Sequence, residues 1–190
     1  MNDEEMTERK VDSETIYVGK VLHVKRDEVE LPNGKHSFRE YAVHKGAVCV
    51  LPLTDEGEVV LVKQYRYACG RVFLEIPAGK LESVNEDPHE AALRELREET
   101  GAQCRTLTPL GTLISSPAIL TEKIRMYLAE GLTFGETDPD EDEFLEIVKM
   151  PLCELVKKVL DGEVEDAKTQ TVALKVWELR RDRFGKGDKT

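Results

Sequence analysis

Two apolar runs, Ala47-Val48-Cys49-Val50-Leu51-Pro52-Leu53 and Val59-Val60-Leu61-Val62, stand either side of Thr54-Asp55-Glu56-Gly57. The four-residue break has turn chemistry, and neither run alternates apolar with polar residues, so both read as central strands buried on two faces. Such strands need a layer of structure on each side. Further strands are predicted in FLEIPAG (73–79), LGTLISS (110–116), KIRMYLAEGL (123–132) and EFLEIVKM (143–150). Helical spacing appears in LCELVKKVL (152–160), closed by Gly162, and in AKTQTVALKVWELRR (167–181), which places Trp177 in the core with Ala173 and Val176. Strands outnumber helices and the helices fall between or after groups of strands. The fold class predicted is α/β, a mixed sheet with helices on its faces.

Ahead of this block, residues 14–45 contain β-rich runs broken at Leu31-Pro32-Asn33-Gly34, where Asn-Gly signals a hairpin. They are expected to form a small antiparallel N-terminal subdomain, with the main domain over 46–182. Residues 1–13 and 183–190 are polar, lack periodicity and are expected to be flexible tails.

The formal net charge of −11 argues against nucleic acid or an anionic membrane as partner. No apolar run reaches the length of a membrane span, and the opening MNDEEMTERK carries too much charge for a secretory signal, so a cytoplasmic location is expected. Cys49, Cys69, Cys104 and Cys153 are widely spaced and suggest reduced, partly buried thiols rather than a disulfide framework or a zinc site. An anionic substrate would need a bound cation or a local basic patch to offset the field of the chain.

The segment GKLESVNEDPHEAALRELREETG (79–101) reads as a loop entering a helix. Asp87 can cap, Pro88 suits the first helical position, Glu90 can complete a capping box, and Gly101 is placed to end the helix near Thr100. Ala92, Leu93 and Leu96 are expected to pack inward, with Glu95, Glu98 and Glu99 together on another face. Glu95 and Glu99 form a like-charge i,i+4 pair costing roughly 0.2–0.5 kcal/mol. Glu98 and Glu99 also lie at the negative end of the helix dipole, a further penalty of about 0.3–1 kcal/mol each. Arg94 can relieve Glu90 and Glu98, and neither it nor Arg97 is expected to neutralise the Glu95/Glu99 pair. A solvated charged face is the plain reading of such a triplet. Hard oxygen donors beside a Gly-bearing loop are also what Mg²⁺ or Mn²⁺ takes, and the disfavoured placement of the charges points that way.

The same segment resembles the Nudix hydrolase signature: Gly, five residues, Glu, seven residues, then Arg-Glu-apolar-any-Glu-Glu-any-Gly-apolar. From Glu86 through Arg94, Glu95, Leu96, Glu98, Glu99 and Gly101 to Ala102 the spacing fits, whereas six residues rather than five separate Gly79 from Glu86. The added residue is expected to be absorbed in the loop Ser83-Val84-Asn85. The resemblance implies a Nudix α/β/α sandwich in which Glu95 and Glu99 are the principal metal ligands. Glu98 assists, the Ala78 carbonyl faces the metal, and Gly79, Glu86, Arg94 and Gly101 serve structure.

Over residues 14–178 the chain is similar to the ADP-ribose pyrophosphatase subgroup, in VELPNGK, REYAVHKGAVCVLPL, LEIPAGKLE and DEDEFLEI. Pro117, fifteen residues beyond Ala102, matches the subgroup's proline marker, although Ala118-Ile119-Leu120-Thr121 departs from its usual Gly-Phe-x-Asp. What this implies is Mg²⁺-dependent hydrolysis of ADP-ribose, a nucleotide-sugar, to AMP and ribose 5-phosphate by a homodimer in which the N-terminal subdomain crosses to the partner. Glu141 is the implied general base and Glu143 an accessory ligand, with the reverse assignment open. Arg66 would contact phosphate. Glu75 faces the same cleft or simply ends a strand. Arg39 and Glu40 would meet the adenosine part, or form an ordinary exposed strand pair, and Glu122 joins the implied substrate-binding set. Two other readings stay open: hydrolysis of GDP-mannose or another nucleoside diphosphate sugar, and a non-catalytic domain that senses ADP-ribose or docks a protein.

Overall fold

The computed structural model describes residues 2–138 and 143–184, with side chains as far as 180. Its contacts divide the chain into two compact units: Met1–Lys45 with Ile114–Lys123, and Gly46–Leu113 with Ile124–Thr190.

The first unit is built on three antiparallel strands in the order β1 (Arg9–Val18), β2 (His23–Glu30), β3 (His36–Val43). The expected hairpin joins β2 to β3: Gly34 has φ +77°, Leu31 N–H donates to the Lys35 carbonyl at 2.8 Å, and Glu30 pairs with His36. The first strand begins at Arg9, inside the segment expected to be a tail. Charge rather than apolar alternation recruits it: Arg9 pairs with Glu30 across the strands, and Glu14 accepts from Arg26 at 2.7 Å. Buried Asp27 accepts from Ser13 on one neighbour at 2.6 Å and from Tyr41 on the other at 2.9 Å.

A second departure concerns residues 114–123, which lay within the expected main domain but group with this sheet. Ala42 N–H donates to the Ile119 carbonyl at 2.9 Å, Thr121 N–H to the Ala42 carbonyl at 3.0 Å, and His44 N–H to the Thr121 hydroxyl at 2.9 Å. These bonds link positions far apart in sequence and leave no local pattern.

The second unit holds a mixed sheet. Its path is β10 (Leu145–Pro151), β5 (Glu58–Arg66), β4 (Ala47–Leu53), β9 (Ile124–Phe134), β8 (Ala102–Leu113), with β4 and β9 parallel. The helices are α1 (Pro88–Thr100), α2 (Leu152–Leu160) and α3 (Ala167–Phe184), the last extending past 182 into the expected C-terminal tail. All seven residues of β4 are buried, and they serve two cores. Cys49, Leu51 and Leu53 pack with Leu155 of α2 and Val172 and Val176 of α3, with Trp177 alongside. Val48 and Val50 pack with Ala91, Ala92 and Leu96 of α1. The period of two along a strand therefore makes an α/β/α arrangement, each fully buried Val or Leu contributing about 1.5–3 kcal/mol.

One irregularity positions everything that follows. The turn at Thr54–Gly57 closes with Thr54 N–H donating to the Glu58 carbonyl at 2.8 Å, yet β4 and β5 pair only at Leu53 with Val59 before they diverge. Two short strands fill the opening. β6 (Arg71–Glu75) pairs with β5, β7 (Ala78–Lys80) pairs with β4, and Val50 N–H donates to the Pro77 carbonyl between them at 2.9 Å. Residues 75–79 thus cross from one strand edge to the next as a strap.

No disulfide forms among the four cysteines. Cys49 is buried, its thiol pushed up to about 12 by that burial, but Cys69 and Cys153 are exposed rather than partly buried. No helix among the described residues is long and apolar enough to cross a membrane.

Candidate active site

Helix α1 starts and stops where its sequence signals lie. The Asp87 side chain accepts from His89 N–H at 2.9 Å, Pro88 opens the helix, and Gly101 takes φ +67° with its N–H on the Arg97 carbonyl at 2.8 Å. A Cβ at residue 101 would overlap the Gly135 carbonyl, so the position also needs glycine for a close approach. The segment that leaves β9 is fastened to this helix end: Gly135 N–H donates to the Gly101 carbonyl at 2.8 Å, and Asp138 N–H to the Glu98 carbonyl at 3.0 Å. One C-terminal backbone acceptor of α1, at Glu98, and that of its cap Gly101 are satisfied in this way.

The buried stripe of α1 differs from the expected one. Ala91, Ala92 and Leu96 are inside and Leu93 is half-buried, whereas Glu95 and Glu99 lie on the buried stripe itself, 7% and 3% exposed. Their carboxylates press on the strap. Ala78 N–H donates to Glu99 Oε2 at 3.2 Å, and Gly79 lies so close to the Glu95 carboxyl that any Cβ there would overlap it. Burial pushes the Glu99 carboxyl up to about 8, with the charges of Glu95 and Glu143 adding to the shift. Burial likewise pushes Glu95 up to about 7, against the pull of Arg94. Two adjacent carboxyls that hold protons to near-neutral pH are short of positive charge.

Arg94 is placed differently from expectation. It relieves Glu95 directly, with Nη1 2.8 Å from Glu95 Oε1, and the same nitrogen lies 3.0 Å from Glu98 Oε2. Its other face reaches Glu86 Oε1 at 3.3–3.4 Å, and Glu86 in turn accepts from Glu82 N–H at 2.5 Å. The guanidinium therefore bridges the helix and the preceding loop. The loop before Glu86 ends in a turn closed by Glu86 N–H on the Ser83 carbonyl at 3.3 Å, and the Arg94–Glu86 link is made beside it. Glu90, which Arg94 was expected to relieve, instead pairs with His89 at 3.5 Å.

Arg66, at the end of β5, grips Glu75 with a two-pronged hydrogen bond, Nε to Oε1 at 2.8 Å and Nη2 to Oε2 at 2.7 Å. Glu75 is 2% exposed; burial opposes its ionisation, but Arg66 and Lys168 prevail and hold it below the usual carboxylate range. Sequence reasoning missed Lys168. This residue lies in the first turn of α3, where a cation is disfavoured by the helix dipole, and that misplacement was the available signal. It contacts both Glu75 and Asp166, the latter at 3.0 Å.

Glu143 lies near enough to raise both Glu95 and Glu99. Glu141 lies outside the described residues. Arg39, Glu40, Pro117 and Glu122 belong to the first unit. There Arg39 Nε donates to Glu8 at 2.9 Å, Glu40 sits opposite Arg26, Pro117 is exposed in a turn, and Glu122 faces His44 at 3.5 Å and Ser115 at 3.3 Å.

Among the described residues no group of three or more His, Cys, Asp or Glu side chains is gathered as a ready metal cage. Glu98 is occupied by Arg94 and by Arg97, the latter at 3.6 Å. What the site offers is a pair of buried hard-oxygen donors whose proton affinity is raised, and a divalent cation fits such a pair because it replaces the protons that the pair otherwise holds.

Comparison with known proteins agrees with this geometry. Residues 43–171 match the NUDIX domain, and residues 8–42 match the nucleoside diphosphate sugar hydrolase N-terminal domain. The chain is 45% identical to an ADP-ribose pyrophosphatase of Bacillus subtilis (strain 168), over 86% of this chain and 89% of the relative. It is 42% identical to a methanol dehydrogenase activator of Bacillus methanolicus, over 85% and 88%. A crystal structure of an ADP compounds hydrolase, 24% identical, superposes with a TM-score of 0.82 over 94% of this chain and 96% of that one, a likeness of fold. With the domain match spanning the strap, α1 and its glutamates, and relatives this similar along most of their length, the chain belongs to the Nudix family.

Proposed function

We propose that the protein hydrolyses the pyrophosphate of ADP-ribose, giving AMP and ribose 5-phosphate. The observation that carries this reading is the pair Glu95 and Glu99, buried against the strap with raised proton affinity and with Arg66 close enough to act on Glu99. The ADP-ribose end of the choice is supported by the 45% identical relative of that activity.

Glu95 and Glu99 would hold the cation, Mg²⁺ or Mn²⁺, with Glu98 and the Ala78 carbonyl assisting; when bound it supplies the positive charge that neutralises the pyrophosphate. Arg66 steadies a phosphate oxygen from beside that pair, its fork already committed to Glu75. Glu141 takes the proton of the attacking water as oxygen meets phosphorus and Glu143 is the accessory ligand, the reverse assignment being the alternative. Water's oxygen bonds to one phosphorus, the bridging P–O bond breaks, and the displaced phosphate leaves with the bridging oxygen. Arg94 and Glu86 hold the loop to the helix. Arg39, Glu40 and Glu122 are assigned to the substrate, and Pro117 to specificity.

The working form is a cytoplasmic homodimer. The first unit supplies the contact through its exposed Val11, Ile16, Val18 and Phe38, an apolar surface that a second copy would cover.

A panel of ADP-ribose, GDP-mannose and other nucleoside diphosphate sugars, assayed with Mg²⁺, tests the reading. ADP-ribose should be turned over fastest, and Glu99→Gln should lose at least about 10²-fold in kcat. Faster GDP-mannose turnover would replace the substrate assigned here, and no turnover of any member would remove the enzymatic reading.

A further inference from the structure

Arg66 uses two of its three nitrogens on Glu75, and among the described residues Nη1 has no partner. What holds the guanidinium in that attitude is a closed circuit behind it. Lys168 contacts Glu75 and donates to Asp166 Oδ1 at 3.0 Å. The other oxygen of Asp166 accepts from Thr169 N–H at 2.9 Å and from the Thr169 hydroxyl at 2.5 Å. Thr169 Oγ1 accepts from Ile76 N–H at 2.9 Å, and Ile76 follows Glu75 in the chain. The first turn of α3 is thereby laced to the strap at the point where Glu75 meets Arg66.

Charge explains why a lysine completes this circuit. The Lys168 side chain is 11% exposed and sits in a helix turn that disfavours cations, so a packed apolar residue would serve stability at least as well. With Arg66 alone, the single charge of Glu75 would neutralise the guanidinium. Lys168 shares that carboxylate and is itself balanced by Asp166, so the four groups sum to zero and Lys168 helps to keep Glu75 ionised against Arg66.

We propose that Lys168 is a positioning residue for the reaction: by sharing Glu75 it fixes Arg66 and leaves its Nη1 donors for a phosphate oxygen of the substrate. The proposal rests on the pyrophosphatase reading given above, and it concerns ground-state grip on an anion rather than the chemical step.

The test measures KM and kcat for ADP-ribose, and Kd for its non-hydrolysable α,β-methylene analogue, in wild type, Lys168→Met, Lys168→Arg, Arg66→Ala and Arg66→Ala/Lys168→Met. Lys168→Met should raise KM and the analogue Kd about 10-fold with kcat within about 3-fold, a loss of uniform binding. Lys168→Arg should restore both to within about 3-fold of wild type. In the Arg66→Ala background the added Lys168→Met should cost less than about 2-fold, because the residue acts through Arg66. An unchanged KM and Kd in Lys168→Met, or an equal penalty in both backgrounds, overturns the proposal. If Lys168→Met fails to fold, Asp166→Asn stands in for it: releasing the tether should raise the analogue Kd at least about 3-fold, and an unchanged Kd overturns the idea. Failure of the underlying reading looks different. A wild type that binds the analogue but hydrolyses no ADP-ribose removes the pyrophosphatase assignment and leaves the Kd comparison to judge Lys168, whereas a wild type that does not bind it overturns both.

Discussion

The carboxyl of Glu95 occupies the space where a side chain on residue 79 would begin. Gly79 is therefore the contact surface on which a buried carboxylate rests. Gly79→Ala should displace the Glu95 side chain and cut kcat/KM by at least about 10²-fold, equivalent to about 2.7 kcal/mol of transition-state stabilisation. Steady-state kinetics beside a Mn²⁺ titration checks this, and a variant that keeps wild-type Mn²⁺ affinity would show that the contact is incidental.

The raised carboxyls give stability a sign with pH. Both Glu99, at about 8, and Glu95, at about 7, bind protons more tightly folded than unfolded, where a glutamate titrates near 4.5. Their favourable contribution is whole below about pH 4.5 and is lost as pH rises through about 7 and 8. Without divalent cation, unfolding free energy should fall by up to about 6 kcal/mol between pH 5 and pH 8.5 through these groups, and Mg²⁺ should restore it at the upper end. Thermal unfolding in EDTA and in Mg²⁺ across that range measures both effects.

Glu99→Gln should separate stability from activity. The amide oxygen still accepts from Ala78 N–H, while the buried charge and its repulsion of Glu95 disappear. At pH 8.5 the cation-free variant should be more stable than wild type by about 1–3 kcal/mol, and Mg²⁺ should no longer raise its Tm. A cation-free Tm below that of wild type would contradict the electrostatic account.

Arg94 links three carboxylates, Glu86, Glu95 and Glu98, and neutralises charge that burial makes costly. Arg94→Met should destabilise by about 1–3 kcal/mol at pH 7.5 in urea unfolding, and Arg94→Lys should recover little because a point charge cannot span loop and helix together.

The buried strands at 47–53 and 59–62, the hairpin at Asn33-Gly34 and both ends of α1 were legible in sequence, because each depends on neighbours in the chain. Other features answer to distant partners. Strand β1 is exposed along its whole length and is held by cross-strand ion pairs, so it gives no apolar period. Residues 114–123 join the first unit through backbone bonds that no side chain announces. At the site, the misplaced charge of the α1 glutamates was visible, but their burial was not, because the strap that covers them arrives only when β4 and β5 part. Lys168 was missed for the same reason, since its partner Glu75 lies 93 residues away.

The divergence of β4 and β5 also determines where this chain can change length. Between Glu75, registered on β5, and Ala78, registered on β4, only Ile76 and Pro77 intervene. Inserting or deleting one residue there would turn the side chains of β7 to the opposite face of the sheet and take Gly79 away from Glu95. The turn at Ser83–Glu86, by contrast, is closed by the single backbone bond of Glu86 N–H to Ser83, so a change of length there would leave the strap in place. Insertions before α1 are thus cheap and insertions in the strap are lethal to the site, although the two segments lie fewer than ten residues apart.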